Sequence, residues 1–250
     1  MYIHCYPVED AMPDVLVTTR LRSEHKGGVD HGLFYRAILP LGRMWAASIN
    51  HIRWSDRLAF DNHHPFFPRF HTVIWDTTCF RVQQSREWFY ARATVNGHYD
   101  FPSYLVLIGI TFTGEIVFAS GLFRNTGYDG NFYMDTYHLH AQHPWERNIG
   151  DGHFATCPRF DTPAQKINGR QLTPLELVWN NWLQLPRSRI EHLNRVVKAH
   201  AMFNGAPFRG WVENLAVFVK ITCHVSAVEI RKRRQLRGPR YAPYGWWRHG

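Results

Sequence analysis

Three acidic residues in this 250-residue chain have the side-chain types and spacing that suit phosphodiester chemistry. Asp76 lies in the stretch FHTVIWDTTCF, Asp151 in RNIGDGHF and Glu191 in LPRSRIEHLNRVVKAH, at intervals of 75 and 40 residues. Cleavage of a phosphodiester bond needs an activated oxygen nucleophile and neutralisation of charge on the attacking and leaving oxygens, and paired divalent cations provide both. Because Mg²⁺ and Mn²⁺ prefer oxygen ligands, the trio is a candidate site for either cation.

The surrounding sequence predicts a strand for each aspartate. Residues 72–82 are rich in β-branched and aromatic side chains, which predicts a strand that contains Asp76. Residues 104–110 and 115–120 flank the turn sequence T-F-T-G, so they should form a hairpin beside the first strand. A short buried strand should end just before Asp151, leaving that carboxylate at its carboxyl end.

Glu191 should lie on a late helix. Thr173 followed by Pro174 is typical of an N-cap and first helical position, so one helix should begin there. A second helix should follow Pro186, because apolar residues then recur at helical spacing, with Glu191 on a neighbouring polar face. Residues 212–228 predict a final packing helix. Strands and helices in this order indicate an α/β fold.

Composition favours a polyanionic partner. Lys and Arg total 29 against 20 acidic residues, giving a formal charge of +9 and a pI near 9.6, which suits nucleic acid, although an ordinary basic protein has the same balance. The cysteines are far apart and form no C-x-x-C pair, so neither a zinc ribbon nor a disulfide framework is indicated. We expect no membrane span, because the most apolar stretch, 104–123, is interrupted by polar residues.

The order, spacing and flanking residues of the three acids resemble the DDE endonuclease domain of PIF/Harbinger-type transposases, over residues 69–231. The motifs that carry the resemblance are I-G-D-G-H-F around Asp151 and R-x-x-x-E-H-x-N-x-x-x-K around Glu191. The resemblance implies an RNase H-like fold: a five-stranded mixed sheet, flanked by helices, whose first three strands are antiparallel. It implies a metal-dependent DNA endonuclease with a capacity for strand transfer, in which Asp76 bridges two cations, Asp151 binds one and Glu191 reaches in from its helix.

The basic residues near Glu191 should line the path of DNA; they are Arg187, Arg189, Arg195 and Lys198. Residues 1–68 are interpreted as a helical segment, a truncated remnant of a DNA-binding region, residues 69–230 as the endonuclease domain and residues 231–250 as a basic aromatic tail. Because only about 70 residues precede Asp76, we expect a separate DNA-binding partner protein to supply target recognition. The basic tail favours a nuclear location, with the cytoplasm as an alternative.

Several alternatives stay open at this level. A descendant that keeps the fold could bind DNA or protein without catalysis. Each acid has an ordinary structural interpretation: a turn or capping residue for Asp76 and Asp151, and a surface ion pair for Glu191. Asp129 could orient Asp76 without binding the metal itself, or it could cap a helix. A third class of function, a histidine-based metalloenzyme, would use His138, His140 and His143.

Overall fold

A computed structural model describes residues 36–37, 39–48, 57–58, 70–84, 86, 91–92, 94–95, 101–125, 127–140, 142–166, 170–200, 203–204, 207–208 and 212–236. The side chains of residues 231 and 233–236 are excepted. The predicted boundary between residues 68 and 69 and most of the segments 1–68 and 231–250 lie outside the described residues.

A mixed β-sheet forms the centre of the described chain. Its strands are β1 (His71–Arg81), β2 (Ser103–Ile110), β3 (Ile116–Ala119), β4 (Phe123–Arg124), β5 (Arg147–Ile149) and β6 (Phe160–Asp161). The order across the sheet is β3-β2-β1-β5-β6, and β4 also pairs with β2. The three pairings among β1 to β4 are antiparallel, whereas β5 is parallel to both β1 and β6.

The sheet has six strands rather than the predicted five, because one edge is interrupted. β3 pairs with the end of β2 near Ile108 and β4 pairs with its start near Tyr104. Since the other edge of β2 is occupied by β1, β3 and β4 share one position. The predicted α/β class, mixed sheet and antiparallel first strands are confirmed.

The pairing of β1 with β5 contains a one-residue irregularity. His71 pairs with Arg147, but Val73 pairs with Asn148, so Thr72 is an extra residue on β1. The Thr72 hydroxyl donates to Glu146 Oε2 at 2.7 Å. Arg57 Nε donates to the same oxygen at 2.9 Å, in an ion pair that is almost wholly buried. These contacts hold the bulged residue in place, since a buried charge needs a close partner.

Four helices are described: α1 (Leu39–Ser48), α2 (Asp129–Thr136), α3 (Pro174–Ala199) and α4 (Val212–Leu236). The apolar faces of α3 and α4 cover one side of the sheet, where Ile74, Ile108 and Ile149 join their core. α2 and the turn that follows β5 cover the other side, around Trp75. Burial of these two apolar clusters stabilises the sheet between its helical layers.

α3 differs from the prediction of two helices. Thr173 caps it as expected: its hydroxyl accepts from Glu176 N, and the Glu176 carboxylate accepts from Thr173 N. The helix then continues through Pro186 instead of ending there. An interior proline costs about 3 kcal/mol, but burial of Leu183, Pro186 and Ile190 offsets this cost.

α4 also extends beyond the prediction, since it runs through the basic sequence R-K-R-R to Leu236. Within the part of the chain that the structure describes, no helix is long and apolar enough to cross a membrane.

Candidate functional site

The strand register brings Asp76 and Asp151 together. Ile74 of β1 pairs in parallel with Ile149 of β5. Two residues further on, Asp76 and Asp151 therefore occupy equivalent positions, at the point where β5 has ended and β1 continues. Carboxyl ends of parallel strands are a common location for binding sites, because the chain turns away there and leaves the neighbouring strand accessible. The predicted pairing of these two aspartates is supported by this geometry.

Both oxygens of Asp76 are held by hydrogen bonds. The backbone N–H of Thr77 donates to Oδ1 at 2.9 Å, and Asn194 Nδ2, from α3, donates to Oδ2 at 2.8 Å. Asp76 lies on the sheet face that α3 covers, and its neighbour across the sheet is Ile108. The carboxylate is thus partly buried and fixed between β1 and α3.

The environment of Asp76 disfavours its ionised form. Burial raises the pKa of Asp76 most, and the negative charges of Asp151 and Asp129 raise it further. The hydrogen bond from Thr77 and the positive charge of Arg187 offset only part of this increase, so the pKa of Asp76 is about 7. Three carboxylates therefore lie within electrostatic reach of one another. Strongly perturbed carboxylates of this kind are typical of functional sites.

The sequence alone did not decide the role of Asp129. Among the described residues, Asp129, Asp151 and His153 form a group whose ligand atoms all lie within 4.8 Å of one another. His153 Nδ1 is 3.8 Å from Asp129 Oδ2. Asp129 is the first residue of α2 and Tyr128 is its N-cap, without a side-chain capping bond. The capping interpretation of Asp129 is therefore wrong.

Close packing at Gly130 places Asp129 beside Asp151. A methyl group on Gly130 would lie 2.9 Å from the His153 carbonyl oxygen and 3.0 Å from Cys157 Sγ. The Cys157 thiol also donates to the Gly130 carbonyl at 3.4 Å. Only glycine lets the start of α2 approach this turn so closely, and this contact between distant parts of the chain brings Asp129 to the site.

Asp151 also has a structural task. It is the N-cap of a short 3₁₀ helix, Gly152–Phe154, and its Oδ1 accepts from His153 N at 2.8 Å. A methyl group on the preceding Gly150 would lie 2.7 Å from the Phe154 ring. The glycine is therefore needed for packing of the turn. One oxygen of Asp151 orders the turn, and the other keeps its lone pairs for a ligand.

Glu191 lies on the stripe of α3 that faces the site, but no described contact joins it to Asp76. Its carboxylate is 53% exposed and lies 3.7 Å from Arg187, one turn earlier. Arg187 acts electrostatically on Asp76 and Asn194 bonds to it. Glu191 lies between these two on the helix surface, since residues four and three apart share a face. Its role as a third metal ligand remains a prediction, and the surface ion pair is present.

The predicted DNA-contacting residues divide into two kinds. Arg187 is partly exposed, and Arg195 and Lys198 are exposed, with Lys198 Nζ 3.7 Å from Cys79 Sγ. Arg189, in contrast, is only 9% exposed. It lies one turn before Leu193 and so belongs to the apolar stripe of α3, which does not suit contact with an external phosphate. The prediction for Arg189 is corrected accordingly.

The histidines of the H-L-H-A-Q-H sequence occupy different environments. His140 packs against Trp75 and Tyr133, with ring centroids 4.7 and 4.8 Å away, and burial followed by the charge of His138 lowers its pKa to about 4. His143 stacks on Trp145, and His138 is exposed. Within the described residues they form no metal-binding group, so the histidine-based metalloenzyme has no support.

The residues at the site suit a hard divalent cation. The donors that lie close together are carboxylate oxygens of Asp129 and Asp151 and the imidazole of His153, and Asp76 interacts electrostatically with both of these aspartates. The side-chain oxygen of Asn194 is buried and has no hydrogen-bond partner among the described residues. An oxygen-rich, negatively charged set of this kind fits Mg²⁺ or Mn²⁺ better than a thiophilic metal.

Comparisons of the chain with protein-family models, with curated proteins and with solved structures gave no match.

Proposed function

We propose that this protein is a metal-dependent endonuclease that cleaves DNA phosphodiester bonds, of the type found in PIF/Harbinger-type transposases. The observation that supports this best is the convergence of Asp76 and Asp151 at the carboxyl end of β5, with Asp129 beside them. Three carboxylates brought together in this way repel one another when ionised. A divalent cation removes that repulsion, so a cation-binding role accounts for an arrangement that is otherwise unfavourable.

The arrangement of the sheet supports the proposal of an RNase H-like fold. The first three strand positions are antiparallel, and β5 and β6 extend the sheet in parallel beyond β1. In this chain Asp76 lies on the first strand, β1, and Asp151 lies two residues after the parallel strand β5.

Asp76 and Asp151 would hold the cation, with Asp129 adjacent and Glu191 reaching in from α3. When bound, Mg²⁺ or Mn²⁺ supplies Lewis-acid activation of water and stabilises charge on the phosphate. The protein itself orients Asp76 through Thr77 and Asn194. It also presents cations along the same helix, the exposed Arg195 and Lys198 and the partly exposed Arg187, which suit contacts with the DNA backbone.

Nicking of supercoiled plasmid tests this proposal. Wild-type protein should convert supercoiled to relaxed plasmid in Mn²⁺ or Mg²⁺ and not in EDTA. Asp76→Asn and Asp151→Asn keep side-chain volume and remove a charged ligand, so each should lower the nicking rate by about a hundredfold or more, above the losses typical of residues that only support a ligand. Asp135→Asn is the matched control, because Asp135 is an exposed aspartate on α2 and should nick at the wild-type rate.

Glu191→Gln separates the two interpretations of Glu191. A loss comparable to that of Asp76→Asn would support a ligand role, whereas wild-type nicking would leave only the ion pair with Arg187. Absence of metal-stimulated nicking in the wild type, or equal nicking by wild type and Asp76→Asn, would overturn the endonuclease proposal. Retained DNA binding in that case would favour the non-catalytic relative. The separate DNA-binding partner and the nuclear location remain part of the proposal.

A further inference from the structure

We infer that Asn194 is a positioning residue for the proposed metal site, which fixes the orientation of the Asp76 carboxylate that would help to hold a divalent cation. The inference rests on the proposed function and extends it to a residue outside the acidic trio. Its basis is the hydrogen bond from Asn194 Nδ2 to Asp76 Oδ2 at 2.8 Å, across 118 residues of sequence.

The two hydrogen bonds to Asp76 leave it suited to bridging. An ionised carboxylate has about four lone-pair sites, two on each oxygen. Thr77 N uses one site on Oδ1 and Asn194 Nδ2 uses one on Oδ2. Each oxygen thus keeps a site for a cation. Without the bond from Asn194, only the backbone N–H of Thr77 would fix the plane of the carboxylate.

The location of Asn194 makes it a rigid donor. It is 8% exposed and lies directly after Leu193, which is 2% exposed in the core between α3 and the sheet. Its backbone lies within α3, more than one turn before the end of the helix at Ala199, so little side-chain freedom remains. Glu191, by comparison, is 53% exposed on the same stripe. Of the side chains on this stripe, Asn194 is therefore the one held against Asp76 by packing.

The amide oxygen of Asn194 supplies a second argument. Oδ1 is buried and makes no hydrogen bond to the described residues, although leaving a buried acceptor unpaired costs about 1–3 kcal/mol. It belongs to the same amide group that bonds Asp76, so it lies beside the carboxylate. An oxygen acceptor in this position can accept from a water in the hydration shell of a cation, as supporting residues around metal ligands commonly do.

Direct measurement of Mn²⁺ binding, by the loss of the free-ion signal in electron paramagnetic resonance, tests this inference without DNA. Asn194→Ala removes the donor, and Asn194→Leu keeps a similar size but has neither a donor nor a charge. Both should raise the Mn²⁺ Kd about 10- to 100-fold. Asn181→Ala, an exposed asparagine on the same helix, is the control and should bind as the wild type does. A residue with only a structural role would lower the Tm without changing the Kd of the folded protein.

A measurement on the wild type covers the case in which both Asn194 variants fail to fold. Asn181 lies 13 residues before Asn194 on α3, a distance of about 20 Å along the helix axis. Substoichiometric Mn²⁺ should broaden the side-chain amide NMR signal of Asn194 and leave that of Asn181 sharp. Equal broadening of the two signals, or none, would overturn the inference.

The outcomes distinguish this inference from the proposed function. If wild-type protein binds no Mn²⁺ and does not nick plasmid, both are wrong. If it binds Mn²⁺ and nicks, but the Asn194 variants bind with the wild-type Kd, the endonuclease proposal stands and the role of Asn194 is refuted. If the variants bind weakly and the control binds normally, Asn194 positions the site, whether or not the wild type cleaves DNA.

Discussion

Replacement of Asp76 by Asn should stabilise the metal-free protein, and the gain should depend on pH. The folded state raises the pKa of Asp76 from 3.8 to about 7, chiefly through burial and then through Asp151 and Asp129. A raised pKa means that the folded state binds the proton more tightly than the unfolded state. The contribution of Asp76 to the stability of the wild type is therefore highest below pH 4, falls as the pH rises from 4 to 7, and levels off above 7.

The expected magnitude follows from the same values. At about 1.4 kcal/mol for each tenfold change in proton affinity, the difference between 3.8 and about 7 corresponds to a loss of about 4 kcal/mol by pH 8. Asn resembles the protonated acid and has no charge to titrate. The difference in unfolding free energy between Asp76→Asn and wild type should then grow by about 4 kcal/mol between pH 4 and pH 8.

Urea denaturation in EDTA at several pH values measures this difference, and titration of all other groups cancels in the comparison. Repeating the series in Mg²⁺ gives a second test, because a bound cation stabilises ionised Asp76 and should reduce the advantage of the variant at pH 8. A difference that stays constant from pH 4 to pH 8 in EDTA would refute the argument that Asp76 is held in an environment unfavourable to its charge.

Three further predictions concern the elements around the site. Asp161 accepts hydrogen bonds from His71 and Arg147. Burial raises the pKa of Asp161, but these hydrogen bonds outweigh burial and lower the pKa to about 2. Asp161→Asn should therefore lower the free energy of unfolding by about 2 kcal/mol at pH 7, and by progressively less as the pH falls from 4 to 2, as measured by urea denaturation. Gly130→Ala should lower the Tm and weaken Mn²⁺ binding. Overpacking against the turn costs about 1–3 kcal/mol, and the higher helix propensity of alanine offsets only about 1 kcal/mol of this. An unchanged Tm would contradict the close contact between Gly130 and the turn after β5. Arg195→Ala should reduce the slope of log K against log salt for duplex DNA by about 0.9, whereas Arg189→Ala, at a buried position, should lower the Tm instead.

The strands and the pair of aspartates could be predicted from the sequence because both depend on local pattern. Residues 72–82 alternate between two buried faces and carry β-branched side chains, so the strand His71–Arg81 was predicted to within one residue at each end. The glycines around Asp151 indicated the turn after β5. Chain order then placed Asp76 and Asp151 at neighbouring strand ends.

The remaining features depend on contacts between distant parts of the chain. Asp129 joins the site because Gly130 packs against the carbonyl of His153, and no local pattern contains that distance. Helix propensity alone predicts that a helix ends at Pro186. The free energy gained by burying the segments on both sides of Pro186 against one sheet exceeds the cost of an interior proline, so the helix continues. The error at Arg189 was avoidable, because its spacing from Leu193 places it on the buried face of α3.

The additional residue at Thr72 determines which side chain of β1 stands opposite Asp151. If the pairing of His71 with Arg147 continued without the irregularity, Trp75 would occupy that position, and Asp76 would be one place further on. Successive side chains on a strand point to opposite faces of the sheet, so a regular ladder that paired Thr72 with Asn148 would place an indole instead of a carboxylate opposite Asp151, although the sequence would be unchanged. The side chain that stands at this sheet edge is therefore set by the irregularity at Thr72, four residues before Asp76, and that irregularity is held by the buried ion pair of Arg57 and Glu146.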